Sequence, residues 1–277
     1  EVLYDMYPED KRQGKTEKGE KKVLSGAPLT TASIASKLGL RAGIVSAINN
    51  QAAEVKKEIS SRGVKDLLQT NSKPTGESIV KLDKNKIPEF KIKKDVAYDY
   101  IKYNNELKNL KTSYFCFGTL SQRNKKSRET LHKLLKKLKQ EKTTIIYDVN
   151  IRKGFPWKRI FKQCLQYTDI LKINEPELKE IKKLLNIRKI ERLLEKVDYI
   201  FVTRGDKGAS VYYKGHGGEY SSISLPVKKV DVKDTTGCGD AFIAGIVYGM
   251  INKDNMKKVL QTALKIASKT ATYMGAY

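Results

Sequence analysis

Short apolar runs alternate with amphipathic stretches along most of this chain, and that alternation restricts its fold more than any other feature of the sequence. Runs rich in Ile, Val, Tyr or Phe occupy 43–48, 113–117, 144–148, 170–173 and 199–203, the length and composition of strands. Between them lie segments with a helical period. The stretch 127–139 places Leu131, Leu134, Leu135 and Leu138 on one face, and 175–185 and 256–273 read the same way. Strands repeatedly followed by helices predict a parallel sheet covered on both faces.

Two regions break the alternation. Residues 7–22 are polar, charged and contain glycine, and are expected to form a mobile connection. Residues 76–92 read as two strands around a turn at 83–86, with Ile79, Val80, Leu82, Ile87, Phe90 and Ile92 as the apolar positions. A hairpin inside a βα chain predicts a small β-rich flap beside the main domain. No internal repeat or low-complexity linker divides the 277 residues, whose 39% hydrophobic content suffices for one sizeable core.

No run approaches the ~18 apolar residues of a membrane span. The opening Glu1-Val2-Leu3-Tyr4-Asp5 lacks the basic start and long apolar stretch of an export signal. Cys116, Cys164 and Cys238 are widely spaced and odd in number, which fits a reducing cytoplasm and argues against a disulfide framework or zinc site.

The formal net charge is +24, from 55 Lys+Arg against 31 Asp+Glu. Such a balance suits anionic partners: nucleotides, sugar phosphates, nucleic acid or a membrane surface. Its distribution favours a plainer account. Lysines are interspersed with apolar residues, as in Leu134-Leu135-Lys136-Lys137-Leu138-Lys139, and no nucleic-acid signature with interleaved aromatics accompanies them. They read as solvated helix faces, and nucleic acid is not the expected partner.

The chemistry is concentrated in Asp234-Thr235-Thr236-Gly237-Cys238-Gly239-Asp240, a glycine turn running into the apolar helix that begins Ala241-Phe242-Ile243-Ala244. At such a junction unpaired N–H groups and the positive end of the helix dipole converge, which suits phosphate oxygens. Gly237 and Gly239 remove side chains where backbone must approach a ligand. Asp240 is either a helix cap or, since a carboxylate facing phosphate is costly unless it handles a proton or metal, a general base.

The pattern resembles the C-terminal signature of the ribokinase (phosphofructokinase-B) family of carbohydrate kinases, Asp-Thr-x-Gly-Ala-Gly-Asp, with Cys238 in the alanine place. Other stretches follow in that family's order: Ser25-Gly26-Ala27-Pro28, Pro74-Thr75-Gly76, Ala97-Tyr98-Asp99 and Phe117-Gly118-Thr119-Leu120-Ser121-Gln122-Arg123. Tyr147-Asp148-Val149-Asn150-Ile151-Arg152, Lys172-Ile173-Asn174-Glu175-Pro176-Glu177 and Val202-Thr203-Arg204-Gly205-Asp206-Lys207-Gly208 complete the series. Glu1 to Asp5 matches only the end of the family's first strand. Within that family the motifs resemble those of fructokinases.

It implies a ribokinase-like three-layer α/β/α sandwich with a mostly parallel central sheet and a small β-rich lid. Residues 1–6, 23–68 and 96–277 would form the main domain, and about 7–22 and 69–95 the lid. It implies ATP-dependent phosphorylation of a sugar hydroxyl, with Asp240 as base and the Gly237-Cys238-Gly239 backbone as anion hole. Asn174 and Glu177 would hold Mg²⁺ and phosphate through water, and Thr203, Gly205, Thr235 and Ser268 would contact the nucleotide. Asp234 and Thr236 would hold a monovalent cation such as K⁺. On the sugar side stand Asp5, Gly26, Thr30, Arg123, Asn150 and Arg152. Homodimerisation through lid strands is a further implication. Helix capping explains Asn174 and Glu177 equally, and a tight turn explains Thr203 and Gly205. His132 and His216 are not expected to be catalytic.

Two departures bear on specificity. Thr30 stands where relatives carry Asn, and Asn49-Asn50-Gln51-Ala52-Ala53 replaces a Gly-x-Asp turn. The phosphate half of the pattern is matched and the sugar half is altered. That leaves room for a nucleoside or sugar-acid acceptor, or for a catalytically weakened scaffold that binds nucleotide or nucleic acid.

Overall fold

The computed structural model describes residues 1–7, 21–82, 88–152, 154–215, 217–273 and 275. In chain order its strands are β1 (Leu3–Tyr7), β2 (Lys21–Ser25), β3 (Gly43–Asn49), β4 (Lys65–Asn71), β5 (Gly76–Leu82), β6 (Pro88–Ile92), β7 (Tyr114–Gly118), β8 (Thr144–Asp148), β9 (Ile170–Asn174), β10 (Tyr199–Thr203), β11 (Ala209–Lys214) and β12 (Tyr220–Leu225). The helices are α1 (Ala27–Lys37), α2 (Ala53–Ser61), α3 (Asn105–Lys108), α4 (Lys125–Gln140), α5 (Trp157–Leu165), α6 (Glu175–Leu185), α7 (Cys238–Ile251) and α8 (Met256–Thr270).

The main sheet runs β12-β11-β10-β9-β8-β7, parallel from β7 to β10 and antiparallel across β11 and β12. Period-two alternation sends neighbouring side chains to opposite layers. Ile145, Tyr147, Leu171, Ile173, Ile200 and Val202 face one core, with Leu134, Leu135 and Leu138 of α4, Ile160 and Phe161 of α5, and Ile181 of α6. Ile146, Ile170, Phe201 and Val211 face the other, with Phe242, Ile243 and Ile246 of α7 and Val259, Leu260 and Ala263 of α8. These are three α/β/α layers, and each fully buried Leu, Ile or Phe contributes roughly 1.5–3 kcal/mol of transfer free energy.

The sheet is not continuous. β3 and β4 form a separate parallel pair, packed with α1 and α2 around Ile44, Ile48, Val55 and Ile59. The flap is a four-stranded sheet, β2-β1-β5-β6. It takes in β1 and β2 as well as the expected hairpin. β1 joins β5 in parallel, Leu3 opposite Gly76. A Cβ on Gly76 would lie 2.5 Å from the Tyr98 ring and 2.9 Å from Leu3 Cβ, so only glycine lets β5 begin there. Most of the 7–22 connection, the turn at 83–86, Ile87 and His216 lie outside the described residues.

The expected strands 144–148 and 199–203 and helix 175–185 occur with those bounds, while 113–117 is displaced by one residue and 256–273 ends at Thr270. No sequence period marks α1. Seven consecutive residues, Leu29 to Ala35, are buried, so the helix has no polar face to create one. Among the described residues no helix is long and apolar enough to cross a membrane.

Candidate active site

The C-terminal ends of the parallel strands and the N-terminus of α7 meet at one cavity of about 300 Å³, which β1, β5 and β6 close from the flap side. This is where open parallel sheets bind ligands. Gly237 caps α7 in the left-handed region, with φ 78°, and no side chain caps the helix. The Cys238 N–H is spent on the Thr235 carbonyl at 3.2 Å. That leaves the N–H groups of Gly239 and Asp240 for an anion. Asp240 is the third helical residue rather than the cap, and its side chain borders the cavity.

A buried charge cluster lies beneath this turn. Asp148 ends β8 and Lys172 lies opposite it in register on β9. Each is 7% exposed, and Lys172 Nζ donates to Asp148 Oδ1 at 3.0 Å. The same ammonium lies 3.0 Å from where a Gly239 Cβ would stand, so the missing side chain admits it against the turn. Burial, then Asp148, holds the Asp240 carboxyl well above the ordinary aspartate range, while Lys172 and Arg152 draw it back down. Burial opposes the Lys172 charge, but Asp148, Glu177 and Asp240 outweigh it and raise that group. Burial likewise raises Glu177, with Asp148 adding to it.

Four of the expected sugar-side residues line the cavity: Asp5, Gly26, Asn150 and Arg152. Gly26 has φ 124°, and a Cβ there would fall 2.6 Å from the Glu1 carbonyl oxygen. Asn150 also takes positive φ, at 40°. Burial raises the Asp5 carboxyl, and the Ser25 hydroxyl and the Arg152 guanidinium pull against that rise. Arg152 lies over the Phe90 ring at 5.4 Å, and its Nε is buried without a hydrogen-bond partner.

Two sugar-side residues lie elsewhere. Arg123 Nε and Nη2 bond Asp99 at 2.7 and 2.9 Å, and Nη2 also reaches the Lys93 carbonyl. Both side chains are buried, at 6% and 2% exposed, so Arg123 is spent on a structural pair outside the cavity. Breaking such a pair from one side costs about 3–5 kcal/mol. Thr30 points into the core, whereas Thr31 lines the cavity and its hydroxyl lies 3.4 Å from the Asp240 carbonyl oxygen. On a helix adjacent residues diverge by about 100°, so the neighbour takes the place expected of Thr30.

On the phosphate side, Asn174, Glu177, Thr235 and Thr236 line the cavity. Asn174 caps α6 by accepting the Glu177 N–H at 2.8 Å, and Glu177 Oε2 accepts the Asn174 N–H at 2.8 Å. Glu177 Oε1 accepts the Ile151 N–H at 2.8 Å, tying α6 to the strand end that carries Asn150 and Arg152. The capping account of this motif is realised in full. Thr203 and Gly205 sit at the end of β10, and Ser268 bonds back to Leu264 on α8; none of the three borders the cavity. Asp234 accepts N–H groups from Thr236 at 2.8 Å and Gly275 at 3.0 Å, fixing the loop before α7. Cys238 lies outside the lining, its thiol pushed up to about 11 by burial and then by Asp234 and Asp240. His132 is remote, 3.9 Å from Cys164 Sγ.

The altered turn at Asn49 also lies outside the cavity. Its Nδ2 reaches the Lys73 carbonyl at 3.0 Å and its N–H the Thr75 hydroxyl at 3.0 Å, anchoring the segment that leads into β5.

Sequence reasoning passed over Asp148 and Lys172, although both stood within quoted motifs. The signal was available: a lysine between Leu171 and Ile173, and an aspartate closing Ile145-Ile146-Tyr147. A parallel strand buried on both faces does not carry charge without a partner or a purpose.

A Gly-capped helix N-terminus with a carboxylate beside it, at the mouth of a doubly covered parallel sheet, has the chemistry to hold an anion next to a proton acceptor. Comparison with known proteins gives the lineage: the chain belongs to the pfkB family of carbohydrate kinases, whose profile matches residues 1–277. It is therefore a kinase by family. An uncharacterized sugar kinase of Pyrococcus horikoshii is 27% identical over 267 residues, covering 91% of this chain and 81% of that protein. Its crystal structure superposes with a TM-score of 0.84 over all of this chain and 91% of that one. An ATP-dependent 6-phosphofructokinase of Thermoanaerobacterium thermosaccharolyticum is 26% identical over 289 residues, covering 100% of this chain and 87% of that protein. The fructokinase of Vibrio cholerae, solved with fructose, ADP and calcium, shares the fold at a TM-score of 0.80 and 20% identity, over 100% of this chain and 92% of that one.

Proposed function

We propose that this protein transfers the terminal phosphoryl group of ATP to a hydroxyl of a sugar, with fructose or a related ketose as the first acceptor to try. Asp240 takes the hydroxyl proton as the oxygen attacks, and the free N–H groups of Gly239 and Asp240, where the Gly237–Gly239 turn enters α7, hold the phosphoryl oxygens as charge shifts toward the leaving ADP. Phosphoryl transfer asks a protein mainly for alignment and charge stabilisation, so one base and a small anion hole suffice. The observation that carries this reading is the bare N-terminus of α7 with Asp240 beside it on the same cavity wall. A carboxyl raised by burial is also a better proton acceptor near neutral pH than an ordinary aspartate.

Among the described residues no group of three or more His, Cys, Asp or Glu gathers to grip a metal directly. Glu177 has a backbone N–H on each carboxylate oxygen, each retaining a lone pair toward water. This donor set fits a hydrated Mg²⁺ held through water at Glu177 and Asn174. Such an ion, when bound, neutralises phosphate charge. The oxygens of Asp234 and Thr236 have the chemistry for K⁺, and no step is routed through it. The flap closes over the sugar and excludes water. β2 and β6 are its outer edges, along which a second copy pairs. The three free thiols accord with a reducing cytoplasm.

Arg152 favours a second reading, in which the acceptor already carries a phosphate or carboxylate. Its guanidinium faces the cavity from the Phe90 ring with Nε unpartnered, and Arg recognises such groups well. A coupled ADP-release assay with Mg²⁺ over fructose, ribose, glucose, their phosphates, sugar acids and nucleosides separates the two. Asp240→Asn is expected to lower kcat on the best acceptor by about 10²–10⁴-fold. Unchanged turnover in that variant would sink the base assignment, and no turnover with salt-sensitive nucleic-acid binding would favour a scaffold.

A further inference from the structure

The cavity floor holds more acid than its visible cations balance by simple pairing. Asp148 at the end of β8 and Glu177 in the first turn of α6 are 7% and 6% exposed, and Asp240 stands above them on α7. Lys172 is the buried cation among them, bonded to Asp148 at 3.0 Å and pressed beneath Gly239. Carboxylates that share one desolvated site and oppose each other's ionisation do not all ionise unless a cation stands among them. We infer that Lys172 is a positioning residue for Asp240: its ammonium, clamped by Asp148 under the glycine turn, keeps Asp240 available as a carboxylate beside two buried acids. This rests on the proposed role of Asp240 as base.

The groups that face Asp240 are Asp148 from β8, Lys172 from β9, Arg152 from the loop after β8 and Glu1 ahead of β1. Asp148 and Glu1 oppose its ionisation, whereas Lys172 and Arg152 favour it. α1 contributes the uncharged Thr31 hydroxyl, near the Asp240 backbone carbonyl. Glu177 faces Lys172 from α6 and competes for the same cation. Removing Lys172 leaves Arg152 alone against Asp148 and Glu1, and Asp240 then keeps its proton to higher pH. Removing the Asp148 charge has the opposite sign, because it deletes a like charge and frees the ammonium toward Asp240. A residue that merely filled space would not produce opposite shifts.

The test is a ¹³C-carboxyl NMR titration of the nucleotide-free protein, with the Asp240 resonance assigned by its loss in D240N. The expected result is an Asp240 midpoint at least ~1 pH unit higher in K172M, little moved in K172R, and lower in D148N. An unmoved midpoint in K172M, or shifts of the same sign in K172M and D148N, overturns the inference. If K172M fails to fold, the sign in D148N decides alone. Turnover of D240N, measured alongside, separates the two ideas: full activity there sinks the base reading, whereas a dead D240N with unmoved titrations sinks only the role of Lys172.

Discussion

Asp240 is placed where its ionised form is penalised, and that placement has a thermodynamic signature apart from catalysis. Its folded-state carboxyl is raised above that of the unfolded chain, with burial first among the causes. A raised carboxyl binds a proton more tightly in the folded state, so the associated stability is complete below the unfolded value and is lost as pH climbs through the folded one. The amide introduced by D240N carries no charge at any pH. D240N without ligands should therefore melt above the parent at pH 8, with the gap closing toward pH 5. Differential scanning calorimetry across that range checks it, and a gap that widens on acidification would contradict the assigned environment. Arg123 gives the complementary lesson at this scale. Its strand-end position was readable as sugar-facing, yet Asp99, 24 positions earlier, takes the Nε–Nη2 edge of its guanidinium. No local pattern announces a partner at that distance.

At the scale of elements, α7 is the piece on which the site depends, because it carries Asp240 and aims its free N–H groups. It is held by α1 on one side and α8 on another. Gly245 is buried at the α8 crossing, where a Cβ would come 2.6 Å from Ala263 Cα and 3.1 Å from its nitrogen. Backbone cannot yield as a flexible side chain can, so any larger residue forces the helices apart. Gly245→Val should cost about 1–3 kcal/mol of stability, read by urea unfolding. It should also lower kcat at saturating acceptor, since a displaced α7 misplaces Asp240, the proposed base. A variant that unfolds normally and turns over normally would show that α7 needs no such tight seat. Element type was legible for β8, β10 and α6, where apolar period and caps agree. It was not legible for α1, which is buried all round and has no polar face to mark its turns.

Across the whole molecule, the cavity belongs to two bodies of structure. Asp5, Ser78 and Phe90 reach it from the flap sheet, and Asp148, Asn174 and Asp240 from the main domain. A sugar and nucleotide bound together should draw the two into register, whereas either alone touches mainly one side. Hydrogen exchange followed by mass spectrometry should show peptides spanning β1, β5 and β6 slowing most with sugar and nucleotide both present; equal protection by nucleotide alone would argue against a closing flap. The sequence by itself determined the parallel sheet covered on both faces, the hairpin half of the flap and the Gly turn before α7, because period, strand length and glycine placement are local properties that short segments express directly. β1 and β2, read as part of the main domain, joined the flap only through tertiary pairing. Only the tertiary structure decided which charged residues share one pocket. The register of β8 against β9 set Asp148 beside Lys172, and the Asp99 pair removed Arg123 from contention. The face of α1 chose Thr31 over Thr30. Those outcomes depend on contacts between segments far apart in the chain, where desolvation and pairing decide, and neither is encoded in any one segment.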